Sequence, residues 1–312
     1  MHVSTTSFSH NFLYEIQNLE SQQSALQQET TTGLKVTQPE DNPSVMDQVL
    51  NLQTEAGANT QYQSNITQIQ SSATTASDAL NSLQTLVEQA GEIATDANGV
   101  NSSTQLSTYA TQVGQLVQEA LQIANTQDAQ GNYIFAGTDT ASAPFSATTD
   151  ANGNVSAVTY NGNTSVAQSE IARGLTVTAQ NPGENNTGAG TEGVFADSRT
   201  GADIFSHLIA LQQDLTSGNT SAISSTVGPG LTTDEDHVVT QISGNAVLQS
   251  TLEATGNVAA QNSTSIESQM SNDTSADLAT TLTQLSQTQT AYQAALESGT
   301  MVMQTSLLNY LT

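Results

Sequence analysis

The sequence contains no cysteine, no tryptophan and only three basic residues among 312. Without cysteine, the chain has no disulfide, no thiolate metal ligand and no thiol nucleophile. Lys35, Arg173 and Arg199 stand against 29 acidic residues, which gives a formal net charge of −26. Because nucleic acids and anionic membrane surfaces are bound through clusters of lysine and arginine, the composition excludes both kinds of partner.

Long apolar runs are also missing. No stretch approaches the ~20 residues that a membrane-spanning helix requires, so we expect a soluble chain. The first eight residues, Met1 to Phe8, have no basic start, no apolar segment and no small-residue cleavage site. A cleaved secretory signal is therefore not expected. Aromatic residues make up 4% of the chain, and much of the apolar content is alanine, which suits slender helix pairs better than a thick core.

Apolar and small residues instead recur in steps of three and four, the spacing of a coiled-coil seam. The longest such row begins at Tyr62 and continues through Ile66, Ile69, Ala73, Ala76, Leu80, Leu83, Val87, Ala90, Ala94 and Ala97. The last part of the chain has a row of Leu278, Leu282, Leu285, Gln289, Tyr292, Leu296, Gly299 and Met303. An N-terminal helix is predicted over about residues 8–31. Head and tail helices of this kind can pack side by side.

These patterns predict a mainly α protein with long coiled-coil-like helices from both termini packed together and a small β-rich inserted domain. Alternating residues predict strands at 155–160 and 175–178, and a short apolar strand is expected between the glycines of 131–137. We expect a Gly/Ser/Thr linker near 216–233. The domain boundaries follow: residues 1–40 and 273–312 form a terminal-helix inner domain, 41–138 and 197–272 a helical rod domain, and 139–196 the β-rich insert.

The terminal seams are imperfect, because Gln23, Thr30, Gln289 and Ser306 interrupt them. Burying one apolar side chain contributes ~1.5–3 kcal/mol, whereas ordering each residue costs ~1–2 kcal/mol of backbone entropy. A lone pair of such helices is expected to be marginal, and to fold fully only in an assembly. The predicted assembly interface consists of Phe12, Ile16, Leu19, Leu26, Leu282, Leu285, Tyr292, Leu296, Leu307, Tyr310 and Leu311.

Residues with catalytic or metal-binding chemistry do not form a recognisable constellation. The four histidines, His2, His10, His207 and His237, are scattered, and His207 is expected at a surface or an interface. The start of a calcium loop at Asp150 lacks the required glycine and closing glutamate, so a hairpin turn is expected there. No cofactor, metal site or catalytic residue is predicted, and an enzyme is the least expected class.

Several short motifs resemble the bacterial flagellin superfamily. The turn 32–36 is similar to the one that follows the first flagellin helix, and 41–43 to the Asp-Asp-Pro that opens the second, although Lys35 and Asn42 depart from that pattern. The stretch 131–138 followed by 144–145 resembles the Gly-x-Tyr-Leu-Phe-Ala-Gly-Thr…Pro-Phe signature of hook–filament junction proteins in this superfamily. The turn and signature residues are Gly33, Lys35, Asp41, Pro43, Tyr133, Phe135, Gly137, Pro144 and Phe145.

The resemblance implies a structural subunit of the extracellular bacterial flagellum. The terminal helices would form the inner layer of a tubular axial structure, the longer helices its outer wall, and the β insert would project outward. The subunit would be exported by the flagellum's own type III apparatus, escorted by a chaperone that binds the C-terminal helix. It would assemble with copies of itself into a short ring between a hook-side junction protein and filament flagellin.

Two other readings remain open at this point. Filament flagellin shares the terminal helices, and the 133–138 and 144–145 pattern is the feature that distinguishes a junction protein from it. A secreted coiled-coil adhesin or an injectisome translocator is a different class. A translocator would need a long apolar hairpin, which the sequence does not contain.

Overall fold

The computed structural model describes the backbone of residues 5–99 and 101–311 and the side chains of residues 10–99 and 101–302. The chain divides into two compact units, one formed by its two ends, up to Ala58 and from Asn262, and one by Asn59–Gln261. The helices are α1 Thr5–Thr32, α2 Pro43–Ala97, α3 Ser103–Ala124, α4 Ile204–Ser217, α5 Thr220–Ala222, α6 Gly228–Thr274 and α7 Leu278–Leu311. The mainly α fold class with a small inserted β region is confirmed.

Local chemistry explains several of the helix ends. Gly33 adopts a φ of 71° and its N–H donates to the carbonyl of Glu29, which closes α1, a conformation that glycine reaches without a Cβ clash. Ser102 and Gln105 form a capping box at the start of α3. Gly218, with a φ of 70°, ends α4 in the same left-handed conformation as Gly33.

The β insert consists of short strands rather than one large sheet. Strands β1 (Phe145–Thr149) and β2 (Val155–Tyr160) form one antiparallel hairpin, and β3 (Ser169–Ala172) and β4 (Leu175–Val177) form another. The strands β5 (Glu184–Asn185), β6 (Ala196–Asp197) and β7 (Ala202–Asp203) pair in that order, β5 with β6 parallel and β6 with β7 antiparallel. The predicted strands at 155–160 and 175–178 are therefore present.

The core of the central unit lies among α2, α3, α4, α6 and the β insert. Its largest fully buried side chains include Leu83, Ile204, Leu208, Leu211 and Phe195, each with 0% exposure. A second, smaller core joins Ile66, Ile69 and Leu252 to Ile171 of β3. The seam predicted from Tyr62 to Ala97 forms the buried face of α2: all its members from Ile66 on are buried, and Tyr62 is half-buried.

The expected strand at 131–137 is wrong. The segment is a series of tight turns, with only isolated bridges from Tyr133 to Gln127 and from Ala136 to Pro182. Gly131 and Gly137 have φ values of 83° and 67°, outside the range of a strand. The apolar character of this segment reflects the burial of residues such as Phe135 and Ala136 in the core, and it does not indicate a strand.

The expected linker at 216–233 is also wrong. After α5 the chain forms a π-helical turn, Ile223–Val227, which continues directly into α6. Ile223, Val227 and Leu231 are buried at steps of four against the central core. Their tertiary contacts outweigh a Gly-, Ser- and Thr-rich composition that by itself favours a flexible chain. Helix α6 ends at Thr274, close to the domain boundary that was predicted at residue 273.

Candidate assembly interface

Helices α1 and α7 pack against each other along a row of half-buried residues. On α1 this row repeats in steps of four and three, and the residues between its members are exposed apart from Glu29. The row is Phe12, Ile16, Leu19, Gln23, Leu26 and Thr30. This is the row that the heptad spacing predicts on α1, so the face of this helix follows from the sequence alone.

The facing row of α7 is built from smaller residues. It consists of Thr281, Leu285, Thr288, Tyr292, Ala295 and Gly299. Thr281 is 3% exposed and its hydroxyl donates to the carboxylate of Glu29 at 3.0 Å. A Cβ at Gly299 would overlap the ring of Phe12, so only glycine allows that ring to approach. Small side chains on α7 therefore let the two helices come close together.

The predicted seam of α7 is partly wrong as a description of this contact. Leu278, Leu282 and Leu296 are 47%, 51% and 41% exposed, and Gln289 is exposed as well. Leu285, Tyr292 and Gly299 belong to both rows. Helix α1 covers the row that contains the small residues and leaves Leu278, Leu282 and Leu296 exposed. The side chains of the predicted Met303, Leu307, Tyr310 and Leu311 lie outside the described residues.

The leucines left uncovered form a surface of their own. We define the open leucine face as Leu278, Leu282 and Leu296 on α7. On α1, Leu13 and Tyr14 are also exposed, at 56% and 66%. Scattered exposed apolar residues are ordinary on a protein surface. Leu278 and Leu282 lie one helical turn apart, and Leu296 lies fourteen residues further along the same face of α7.

The turn residues of the predicted signature hold the break after α1 against the break before α7. The N–H of Lys35 donates to the carbonyl of Thr274 at 2.7 Å, and the N–H of Ala276 donates to the carbonyl of Gly33 at 2.8 Å. Lys35 also reaches the carbonyl of Asn272 through its ammonium group, at 3.4 Å. These are backbone-centred contacts, so lysine in place of arginine leaves them available.

Asp41 and Asn42 organise the start of α2. The carboxylate of Asp41 accepts hydrogen bonds from the N–H groups of Thr37 and Gln38, each at 2.9 Å, and these bonds lower the pKa of Asp41. The side-chain oxygen of Asn42 accepts from the N–H of Val45, and Pro43 occupies the first position of the helix, where its missing N–H costs nothing. Asp41 is a turn-forming residue here.

The rest of the signature lies in the central core. Phe135 and Phe145 belong to a cluster of rings with Phe195 and Phe205, with centroids 5.1–5.5 Å apart. Asn125 holds Phe145 by accepting from its N–H and donating to its carbonyl, both at 3.0 Å. Pro144 and Gly137 are buried and Tyr133 is half-buried. The motif therefore specifies how the insert joins the helices.

The hydroxyl of Tyr160 secures the same region. It lies 3.1 Å from the carbonyl of Phe135 and 3.0 Å from that of Asn163, and it accepts from the N–H of Gly183 at 3.1 Å. Burial raises the pKa of Tyr160 to about 12. The ring also packs on Phe145, at 5.0 Å between centroids.

His207, which was expected at a surface or an interface, is half-buried and has a charged partner. Its Nδ1 lies 2.8 Å from a carboxylate oxygen of Asp234, whose side chain is fully buried. The other oxygen of Asp234 accepts from the N–H of Asp203 at 2.8 Å. The bond to Asp234 raises the pKa of His207. The pair ties α4 to α6, and the sequence offered no local signal for two residues so far apart.

A second ion pair braces the loop that contains β6 and β7. Arg199 donates to both carboxylate oxygens of Asp197, at 2.9 and 2.7 Å, and to the carbonyl of Gly190 at 2.9 Å. The hydrogen bonds from Arg199 lower the pKa of Asp197 to about 2. This arginine is occupied within its own loop.

The described residues offer little for catalysis or metal binding. No group of three or more histidine and carboxylate side chains is placed to hold a metal ion in the part of the chain that the structure describes. The carboxylate of Asp150 is bonded to the N–H groups of Asn152 and Asn154 in the turn between β1 and β2. A cavity of about 780 Å³ between α2 and the start of α6 is lined by carboxylates such as Glu88, Glu92 and Glu235 without a histidine. None of the described helices combines the length and apolarity needed to cross a bilayer.

Comparison with known proteins places this architecture. Residues 3–140 match the family of the bacterial flagellin N-terminal helical region. The flagellar hook-associated protein 3 of Escherichia coli K12 is 32% identical over 120 residues, which span 38% of this chain and 38% of that protein. A flagellar hook-associated protein structure from Vibrio parahaemolyticus matches with a TM-score of 0.62 at 19% identity, covering 75% of this chain and 100% of the other. The structure of the flagellar junction protein FlgL from Legionella pneumophila matches with a TM-score of 0.53 at 13% sequence identity. This match covers 66% of this chain and 99% of the other.

Residues 3–140, somewhat less than half of the chain, are thus similar to the bacterial flagellin N-terminal helical region. The fold of the chain is that of the flagellar hook-associated proteins. The resemblance seen in the turn and signature residues is confirmed by these findings. The sequence match to the E. coli relative extends over well under half of that protein.

Proposed function

We propose that this protein is a structural subunit of the bacterial flagellum that forms the junction between hook and filament. Copies assemble into a ring in the extracellular axial structure by packing of their terminal helices. The ring connects a hook-side junction protein to filament flagellin, and an export chaperone covers the C-terminal helix before assembly. The subunit has no catalytic role.

The observation that carries the proposal is the open leucine face of α7. Covering a half-exposed leucine yields about 1 kcal/mol, from ~25 cal/mol per Å² of apolar surface. Three leucines on one helix therefore supply an appreciable part of a contact between subunits, provided that nothing opposes it. Two other predicted interface residues of α7, Leu285 and Tyr292, are already half-buried in the contact with α1.

The charge distribution supports the same surface. The chain has 29 acidic residues, yet the whole of α7, Leu278–Leu311, contains one charged residue, Glu297. Two copies with a net charge of −26 repel each other over most of their surfaces. Helix α7 is a surface along which neighbouring copies could approach with little electrostatic repulsion. A nearly uncharged helix with exposed leucines on an acidic protein is more consistent with self-assembly than with a monomer in solution.

The proposal includes the three domains that the sequence predicts. Residues 1–40 and 273–312 form the inner assembly domain, 41–138 and 197–272 the rod, and 139–196 an outward-facing insert. The buried signature residues Pro144 and Phe145, and the bond from Arg199 of the rod to the carbonyl of Gly190, favour an insert that is held rigidly in each subunit.

Substitution of Leu282 by aspartate tests the assembly surface. Leu282→Asp places a charge on the open leucine face and should abolish polymerisation, as measured by sedimentation, while the monomer's melting temperature changes little because Leu282 is 51% exposed. Thr283→Asp is the matched control, since it adds the same charge at the adjacent exposed position. Equal loss of assembly in both variants would contradict the proposed surface.

A deletion strain tests the position in the flagellum. Cells lacking the protein should retain the hook and release flagellin into the medium, because no ring holds the filament. Expression of the protein in the same strain should restore attached filaments. Normal filaments in the deletion strain, or a missing flagellin pool, would contradict a junction role and favour filament flagellin.

A further inference from the structure

Helices α2 and α6 are joined by two buried asparagines that are related to each other. The side-chain amide of Asn59 on α2 donates to the carbonyl of Ala259 on α6 at 2.7 Å. The amide of Asn245 on α6 donates to the carbonyl of Ala73 on α2 at 2.8 Å. Both asparagines are 6% exposed. Each helix thus contributes one donor and one acceptor.

The spacing of the two contacts is the same on both helices. Asn59 and Ala73 are fourteen residues apart on α2, and Asn245 and Ala259 are fourteen apart on α6. Fourteen residues are two heptads, so both contacts fall on one seam of an antiparallel pair. Midway between them lie Ile66 and Leu252, which are 4% and 0% exposed and belong to one small core.

The apolar residues of this seam do not select one alignment. A slip of one heptad would set Ile66 against Ala259 and Ala73 against Leu252. In the present register the two large residues, Ile66 and Leu252, face each other. After the slip each of them would face an alanine, and the total volume of these four side chains in the seam would be unchanged. Cores tolerate such volume-conserving rearrangements, so the hydrophobic pattern alone leaves the register open.

The asparagines remove that freedom. Slipped by one heptad in one direction, Asn245 would face Leu80; slipped in the other, it would face Ile66, and Asn59 would face Leu252. In the present register each asparagine faces an alanine, and this small side chain leaves room for the amide to reach the backbone of the facing helix. A buried amide opposite leucine or isoleucine would lose its acceptor and keep its full desolvation penalty.

We propose that Asn59 and Asn245 form a reciprocal lock that selects the register of α2 against α6. Their role is specificity of alignment rather than strength of packing, as for single polar residues at core positions of coiled coils. Gln249 also donates to the carbonyl of Ala73, at 3.2 Å, and reinforces one side of the lock. The inference does not depend on the proposed flagellar role.

The lock also sets the place of the β3–β4 hairpin. Ile171, with 0% exposure, enters the small core at the midpoint between the two contacts. Next to it, the side-chain amide of Asn65 on α2 donates to the carbonyl of Glu170 at 2.8 Å. A slipped pair would no longer present Ile66 and Leu252 to the same hairpin residue.

Engineered cysteine pairs can report the register, because the natural chain contains no cysteine. Ile66→Cys with Leu252→Cys reports the native register. Ile66→Cys with Ala259→Cys, and Ala73→Cys with Val238→Cys, report slips in the two directions. One heptad corresponds to about 10 Å along a helix, which exceeds the ~7 Å limit between the Cα atoms of a disulfide.

The lock is removed by the double variant Asn59→Leu with Asn245→Leu. In this background, oxidation should raise the slipped-register cross-links about tenfold or more above their level with the asparagines present, since about 1.4 kcal/mol corresponds to a factor of ten. Helical circular dichroism should be retained, because leucine is a good helix former. Asn81→Leu, at an exposed position of α2, is the matched control and should leave all cross-links unchanged.

Two results would overturn the proposal. Slipped-register cross-links that stay at background in the double variant would show that the rest of the central unit sets the register. Loss of the helical signal in the double variant would show that the asparagines supply stability rather than alignment.

Discussion

The two compact units of the chain share the same heptad pattern but differ in how completely their apolar side chains are buried. In the central unit, leucines such as Leu83, Leu208 and Leu211 have 0% exposure and pack with a cluster of four phenylalanines. In the described part of the α1/α7 pair, no large apolar side chain is fully buried, and the open leucine face is uncovered. A heptad seam in the sequence therefore does not reveal whether the apolar face of the helix is fully covered within one subunit. The amount of neighbouring structure decides that.

The largest expected effect is a leucine truncation that contrasts the two units. Leu208→Ala should lower the free energy of unfolding by about 2–5 kcal/mol, because it opens a cavity in a packed core. Leu19→Ala, the same change in the half-buried α1 seam, should cost less than about 1 kcal/mol in the monomer while weakening polymerisation. Chemical denaturation of both variants measures the difference. Equal costs would mean that the terminal pair is an ordinary self-sufficient core.

A smaller effect is expected where the signature motif joins the insert to the helices. Asn125→Ala leaves the N–H and carbonyl of Phe145 without their side-chain partner. This change should destabilise the central unit by about 1–3 kcal/mol. Gln122→Ala, at an exposed position of the same helix, is the control. Thermal unfolding that is unaltered by Asn125→Ala would argue against the motif as a structural joint.

The smallest effect concerns pH and is confined to the central unit. The pKa of His207 is raised in the folded state by Asp234, so the folded chain holds this proton more tightly than the unfolded chain does. The resulting stability is present below the unfolded pKa of about 6.5, as long as Asp234, whose pKa is raised by burial, stays ionised. It is lost as the pH rises through the raised folded pKa of His207.

Melting temperatures between acidic and mildly alkaline pH test this expectation. The advantage of the natural chain over His207→Gln should be largest at mildly acidic pH, where His207 is charged and Asp234 is ionised. It should be at most about 1 kcal/mol, because the imidazole is partly exposed, and it should shrink as the pH rises. A constant or growing difference would contradict the assigned charge state. Helix α1 and helix α7 should show no such dependence, because the pair lies in the other unit.

Much of the architecture could be read from residue spacing. The long helices, the hairpin strands at 155–160 and 175–178, and the α1 row from Phe12 to Thr30 all depend on local periodicity, which a sequence displays directly. The π-helical turn at Ile223–Val227 and the turns at 131–137 could not be read in this way, because contacts with distant segments override their local composition. The assembly surface itself stays a prediction.

The sequence by itself determined which residues share a face of each helix and where the chain turns, because helical periodicity, glycine and proline act within a few residues of each other. It also determined that the chain is strongly acidic and that α7 is nearly free of charge. Only the tertiary structure decided which of the two rows of α7 faces α1, that His207 meets Asp234, and that Asn59 and Asn245 fall opposite alanines. Those pairings join residues far apart in the chain, and they depend on which surfaces pack closely enough to exclude water.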